Sequence, residues 1–256
     1  MKHLAVRSMS VRNPANAFST PGLGDRIHSA LVGWTYGQAH GVPVTLHLTH
    51  DKGTGGQYGN KSDSWREVVE LFPAGSLEVC HHPVTLLREA EWLAYLRSKG
   101  YEAEGWWYSD HPGPHEPPVA LDIAPYLRRI PLLTAEPADI GLPERFFTVQ
   151  WDSNERKRTL SVQQRAAVVD RYRAAGYGSV IVGGEAPDKR LRWSLKHIAW
   201  AMSRAAFHVG VDSAFAHMAQ LYMPWERIHL YNEADGFYSH HARRARDNGA
   251  TINLHL

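Results

Sequence analysis

The sequence has a single cysteine, Cys80, among 256 residues. That excludes an intramolecular disulfide and a cysteine-built zinc site, and it agrees with a reducing compartment, so a cytoplasmic location is expected. Nowhere do the roughly 18 apolar residues of a membrane span run together. Met1 to Val11 has neither a continuous apolar core nor a small-residue cleavage site, so export is not indicated either. An excess of one charge is also missing: 28 Lys plus Arg against 26 Asp plus Glu leave +2, too little to predict binding to duplex nucleic acid. No repeat and no low-complexity tract is present. With 43% hydrophobic residues, a chain of this length buries about three quarters of its unfolded surface and builds a core without metal or disulfide staples. One large domain or two small ones fit that length.

Short apolar runs alternate with helix-period segments along the whole chain, the order of an α/β protein. Leu4 to Val11 reads as a strand, and Ile27, Leu31 and Trp34 mark a helix face after a Pro- and Gly-containing loop. Val44 to Leu48 and Leu77 to Cys80 read as further strands, with a helix around Thr85 to Ser98. Prolines between Glu104 and Pro143 break any long element, which puts a boundary near Pro143 and predicts domains over 1–142 and 143–256. In the second, strand Phe146 to Trp151 precedes a helix with Val162, Ala166 and Val169 on one face. Strand Ser179 to Val182, a helix with Leu191, Leu195, Ile198 and Met202, strand Phe207 to Val211, helix Ser213 to Tyr222 and strand Arg227 to Tyr231 follow. Two such domains would hold ligands at strand carboxyl ends, in a cleft between them.

Four segments carry candidate chemistry. His208 to His217 runs from a strand into a helix whose N-terminal N–H groups and partial positive charge suit a phosphate, with Asp212 or Ser213 as N-cap and His217 as an added donor. The same residues also fit a plain cap and a satisfied core histidine. Gln150 to Arg158 follows a strand, and Arg156, Lys157 and Arg158 could face a diphosphate or form a solvated charge run. Val182-Gly-Gly-Glu185 ends a strand with glycines that permit close backbone approach and a carboxylate that can accept from ribose hydroxyls, or it is an ordinary turn. Gly22-Leu-Gly-Asp-Arg-Ile-His28 begins a helix at Asp25, a general base or a cap. This turn has Ile27 where a dinucleotide fingerprint needs its third glycine, which sets a nicotinamide enzyme aside.

In this order and spacing the four segments resemble the lipopolysaccharide heptosyltransferases, inverting nucleotide-sugar glycosyltransferases of the GT-B fold. The matching residues are Gly24-Asp25, Arg156 to Arg158, Gly184-Glu185 and Asp212-Ser213-Ala214-Phe215-Ala216-His217. The resemblance is continuous from about Phe146 to Tyr231 and short at Gly22 to Ser29. It implies two Rossmann-like α/β domains around an interdomain cleft, a reduced N-terminal acceptor-side domain, and a last helix that crosses back to it. It further implies Asp25 as catalytic base, with Gly24, Arg26 and His28 beside it, and Lys157 or a flanking arginine at the diphosphate. Gly184 and Glu185 would lie at the ribose, Asp212 at the donor sugar, and Ser213, Ala214 and His217 at the diphosphate. The expected reaction moves a sugar from a nucleoside-diphosphate donor to an acceptor hydroxyl, with no metal and no cofactor. Ala214 stands where the family has glycine, and the chain is short for the family; a non-catalytic nucleotide-sugar or sugar-phosphate binding protein is the alternative.

Other signals point away from different chemistries. Asp110 to Glu116, His81-His82 and His240-His241 lack the helical spacing of a zinc protease. Lys52 to Lys61 is glycine-rich but lacks the Gly-Lys-Ser/Thr ending of a phosphate-binding loop. Trp106-Trp107-Tyr108 can stack on a sugar or pack an interface. Arg243, Arg244 and Arg246 fit either the crossing helix or a solvated basic face.

Overall fold

A computed structural model of the chain describes residues 4–8, 23–50, 67–83, 94, 98–100, 103–106, 133–151, 158, 160–183, 193–231 and 249–253. The chain divides into two compact units, Met1–Pro131 and Leu132–Leu256. The expected boundary near Pro143 thus differs from the division after Pro131. The reason is local: the Leu133 N–H donates to the Leu221 carbonyl at 2.6 Å, in the last turn of a helix of the second unit, where carbonyls have no partner within the helix.

The first unit contains strands β1 (Leu4–Ser8), β2 (Val44–His50), β3 (Glu78–Pro83) and β4 (Ala103–Trp106), and helix α1 (Leu23–His40). Its sheet runs β3-β2-β1-β4 with every pairing parallel. Leu23, Ile27, Ala30, Leu31 and Trp34 are buried, the spacing of one helical face. Trp34 packs on Phe72 with ring centroids 6.0 Å apart. The helix following β1 thus begins at the carboxyl end of this sheet, as in any parallel βαβ unit. β4 was not expected, since Ala-Glu-Gly-Trp has neither alternation nor β-branched residues.

The second unit contains β5 (Phe146–Gln150), α2 (Val162–Ala174), β6 (Gly178–Ile181), α3 (Leu195–Arg204), β7 (His208–Gly210), α4 (Ala214–Tyr222), β8 (Ile228–Tyr231) and β9 (Thr251–Asn253). Its sheet order is β6-β5-β7-β8-β9, again all parallel. β5 is buried at every position, as a parallel strand covered on both faces should be. Phe147 and Val149 join Val209, Val211 and Tyr231 in a core closed by Val168 and Tyr172 of α2.

The α2 face differs from the expected one: Val162 is 80% exposed, whereas Val168 and Tyr172 are buried. Tyr172 brings the larger apolar area, and its hydroxyl finds partners in His229 and Tyr231, so the helix turns this stripe inward. Its start is fixed by a capping box between Ser161 and Gln164. Right-handed crossovers place α3 and α4 on the other face. α4 is buried from Phe215 through Tyr222.

Candidate functional site

From β5 the chain crosses to β6 on one side and then back to β7 on the other, so the order reverses between β5 and β7. At such a switch point, crossovers diverge and leave a crevice beyond the strand carboxyl ends. Gln150 and Gly210 are those ends and are paired in register. The Val211 N–H donates to the Gln150 carbonyl at 3.2 Å, carrying the pairing one residue past β7. The chain then turns through Asp212 and Ser213 into α4, of which Ser213 is the N-cap.

Two side-chain interactions fix this turn. Arg158 Nη1 donates to the Asp212 carbonyl at 3.0 Å, and its Nε lies 3.9 Å from the Asp212 carboxylate, which is 1% exposed. A carboxylate so far from water requires such a cation. On the other side, Ser213 Oγ donates to Gln150 Oε1 at 2.6 Å. Ser213 makes no side-chain cap bond, although serine usually does at this position. Both glycines beside Gln150 are there for contact: a Cβ at Gly210 would lie 2.5 Å from the Gln150 carbonyl oxygen, and one at Gly183 2.5 Å from Gln150 Cγ.

The structure therefore brings Arg158, Asp212, Ser213 and the start of α4 at Ala214 together, with buried His217 one turn inside. Arg156, Lys157, Gly184 and Glu185 lie outside the described residues, as do Lys52 to Lys61, His240-His241 and Arg243 to Arg246. Gly24, Asp25, Arg26 and His28 occupy the first turns of α1. Asp25 is the third residue of that helix, inside it rather than at its cap, and Arg26 is buried. The side chains of Asp25 and His28 are outside the described set. Among the described residues no group of three or more His, Cys, Asp or Glu could hold a metal ion, and no helix is long and apolar enough to cross a membrane.

Solved structures share this architecture along nearly the whole chain. ADP-heptose lipopolysaccharide heptosyltransferase II of Escherichia coli matches with a TM-score of 0.56 at 10% identity, over 100% of this chain and 91% of that one. The glycosyl transferase family 9 structure from Veillonella parvula gives 0.52 at 14% identity, over 93% of this chain and 83% of that one. The fold is that of these glycosyltransferases. TibC, an iron-containing dodecameric glycosyltransferase of enterotoxigenic Escherichia coli, gives 0.51 at 12% identity; this chain covers 63% of its length, just under two thirds. No family model matches the sequence, and no curated protein does. The likeness to heptosyltransferases carried by four short segments thus recurs in the fold.

Within this glycosyltransferase fold, two polar residues of the second sheet had no assigned part in the sequence reading. Gln150 is 2% exposed and closes the buried run Phe146-Phe-Thr-Val; an amide at that terminal position was the available signal. His208 is fully buried, with Nδ1 3.1 Å from Thr148 Oγ1. Burial, and secondarily the neighbouring His229, push its pKa from 6.5 down to about 3. Burial also lowers that of His229.

His208 stays neutral in the fold, while the unfolded chain takes up its proton below 6.5, so stability is full above that pH and falls as pH drops toward about 3. The slope approaches about 1.4 kcal/mol per pH unit for one histidine. Urea melts between about pH 7 and about pH 4 should show this loss, and His208→Asn should flatten it by about one proton. An undiminished slope in that variant would place the acid-sensitive group elsewhere.

Proposed function

We propose that the chain is an inverting, metal-independent glycosyltransferase of the cytoplasm, moving a sugar from a nucleoside-diphosphate donor to an acceptor hydroxyl. The observation that carries this reading is the Asp212–Ser213 turn into α4 at the switch point of the second sheet, within the fold of heptosyltransferases. The donor diphosphate lies against the start of α4, whose amides and dipole offset the charge that grows on the leaving group. His217 and the cations Arg156 and Lys157 add to that field. Arg158 holds the turn through Asp212, and Glu185 meets the ribose.

The first unit supplies the base. Asp25 accepts the acceptor's hydroxyl proton as that oxygen forms its bond to the anomeric carbon. The bond from that carbon to the phosphate oxygen breaks, and the nucleoside diphosphate leaves with the electron pair. Attack opposite the leaving group inverts the configuration. Because donor charge is met by amides and cations, no resident metal or cofactor enters the balance. The acceptor class is left open by the chemistry of the step, which requires only a hydroxyl.

A thermal-shift series with ADP, GDP, UDP, dTDP and CMP, each with and without EDTA, tests the donor half. ADP is the first choice, since the name of one neighbour specifies ADP-heptose. A Tm rise with one nucleoside diphosphate that survives EDTA is expected. A rise abolished by EDTA would overturn metal independence, and no rise with any at concentrations of about 1 mM or more would overturn the donor class. Nucleotide binding with no turnover of any nucleotide sugar would favour the non-catalytic binding protein, a reading to which Ala214 at the head of α4 lends support.

A further inference from the structure

The N-cap of α4 is a serine that does not cap. A serine hydroxyl has one proton, and that of Ser213 goes to Gln150 Oε1 at 2.6 Å. Its oxygen makes no bond to the first-turn amides. Elsewhere in the same unit serine caps behave as usual: Ser161 accepts from the Gln164 N–H and Ser194 from the His197 N–H. The difference lies in what stands opposite. Gln150 ends β5, is buried, and has its side chain against Gly183, where any Cβ would displace it. Its backbone oxygen is held by the Val211 N–H. The amide that receives Ser213 is therefore fixed from both neighbouring chain segments, one following β6 and the other following β7.

We propose that Gln150 is a positioning residue that, by accepting the Ser213 proton, holds this hydroxyl off the first turn of α4 and keeps the Phe215 amide open to the donor diphosphate, the Ala216 N–H being already given to the Ser213 carbonyl at 3.0 Å. The inference rests on the donor reading above. It separates two residues that a cap and a phosphate would otherwise make competitors, since a serine oxygen and a phosphate oxygen seek the same N–H groups. It also gives Gly183 a part distinct from ligand approach: its missing side chain makes room for Gln150.

A double-mutant cycle tests it. Gln150→Met removes the acceptor with a side chain of similar length that needs no polar partner, freeing Ser213 to cap α4. Binding of ADP, or of whichever nucleoside diphosphate the thermal series selects, should weaken about fivefold, the equilibrium worth of a serine cap. In a Ser213→Ala background the same Gln150→Met change should alter affinity by less than about twofold, because no competing hydroxyl remains. Equal weakening in both backgrounds would overturn the proposal, since a packing defect or a direct contact from Gln150 to phosphate gives that result. Should Gln150→Met not fold, Gln150→Leu removes the same acceptor and carries the same cycle.

Failure of the donor reading is distinguished by a ligand-free measurement. If the wild-type chain binds no nucleoside diphosphate, that reading fails, and amide hydrogen exchange at Phe215 then decides on Gln150 alone. Slower exchange in Gln150→Met than in the double variant is the expected result. Exchange unchanged between them would show that Gln150 does not hold Ser213 from the cap.

Discussion

Replacing Asp25 by asparagine lowers kcat by about 10²–10⁴-fold, the range for loss of a general base, and leaves nucleoside-diphosphate affinity within about twofold. Asparagine keeps the shape of the side chain and cannot take the acceptor's proton. The position is the third of α1, where a negative charge is worth about 0.3–1 kcal/mol to the helix, so the variant stays folded. The two effects are separable because Asp25 belongs to the first unit and the Asp212–Ser213 turn, the proposed donor site, to the second. Steady-state kinetics together with a binding titration checks both. Turnover at the wild-type rate would remove Asp25 from the chemistry, and a parallel fall in affinity would make it a donor ligand.

The second large effect is on stability. Gly210→Ala places a Cβ 2.5 Å from the carbonyl oxygen of Gln150, closer than real Cβ contacts come. The atom it meets is backbone of the adjoining central strand, paired with Gly210 in register, and cannot rotate aside. Either β7 moves away from β5 or the pairing opens. A loss of about 2–3 kcal/mol is expected, lowering the Tm of a unit this size by roughly 10 °C. Urea and thermal melts measure it, and a Tm within about 2 °C of wild type would show that the strands yield without cost. Gly183 makes an instructive contrast, because the atom a Cβ would meet there belongs to a side chain, Gln150 Cγ. The same substitution at that position disturbs the Gln150–Ser213 contact more than the sheet.

Much of this architecture is readable from residue order. Phe146 to Trp151, Phe207 to Val211 and Arg227 to Tyr231 read as strands, and the structure forms β5, β7 and β8 within them. The α1 face of Ile27, Leu31 and Trp34 is buried as its spacing predicts. The Asp212 to His217 segment lies at a switch point because the strand before it is the one that reverses direction across the sheet.

Where the reading departed from the structure, the missing information was long-range. The α2 face went to Val168 and Tyr172 because His229 and Tyr231, 57 and 59 residues further on, hydrogen-bond with the Tyr172 hydroxyl. The amide closing β5 marks Gln150 locally but does not reveal its partner, since Ser213 is 63 residues away. Thr251–Asn253 forms a strand only because β8 pairs with it; three residues carry no periodicity. The residues before the expected boundary near Pro143 are tied to α4 by a backbone bond from Leu133 to Leu221.

The proposed nucleoside-diphosphate site lies where β5 and β7 deliver the chain to α4. Amide chemical-shift mapping of the isotope-labelled full chain, titrated with ADP, GDP or UDP in the presence of EDTA, locates the site without any assumption about the acceptor. Saturable shifts centred on the amides from Gly210 to His217 are the predicted result. Saturable binding with those amides unmoved would overturn this placement, because the donor would then sit elsewhere in the fold.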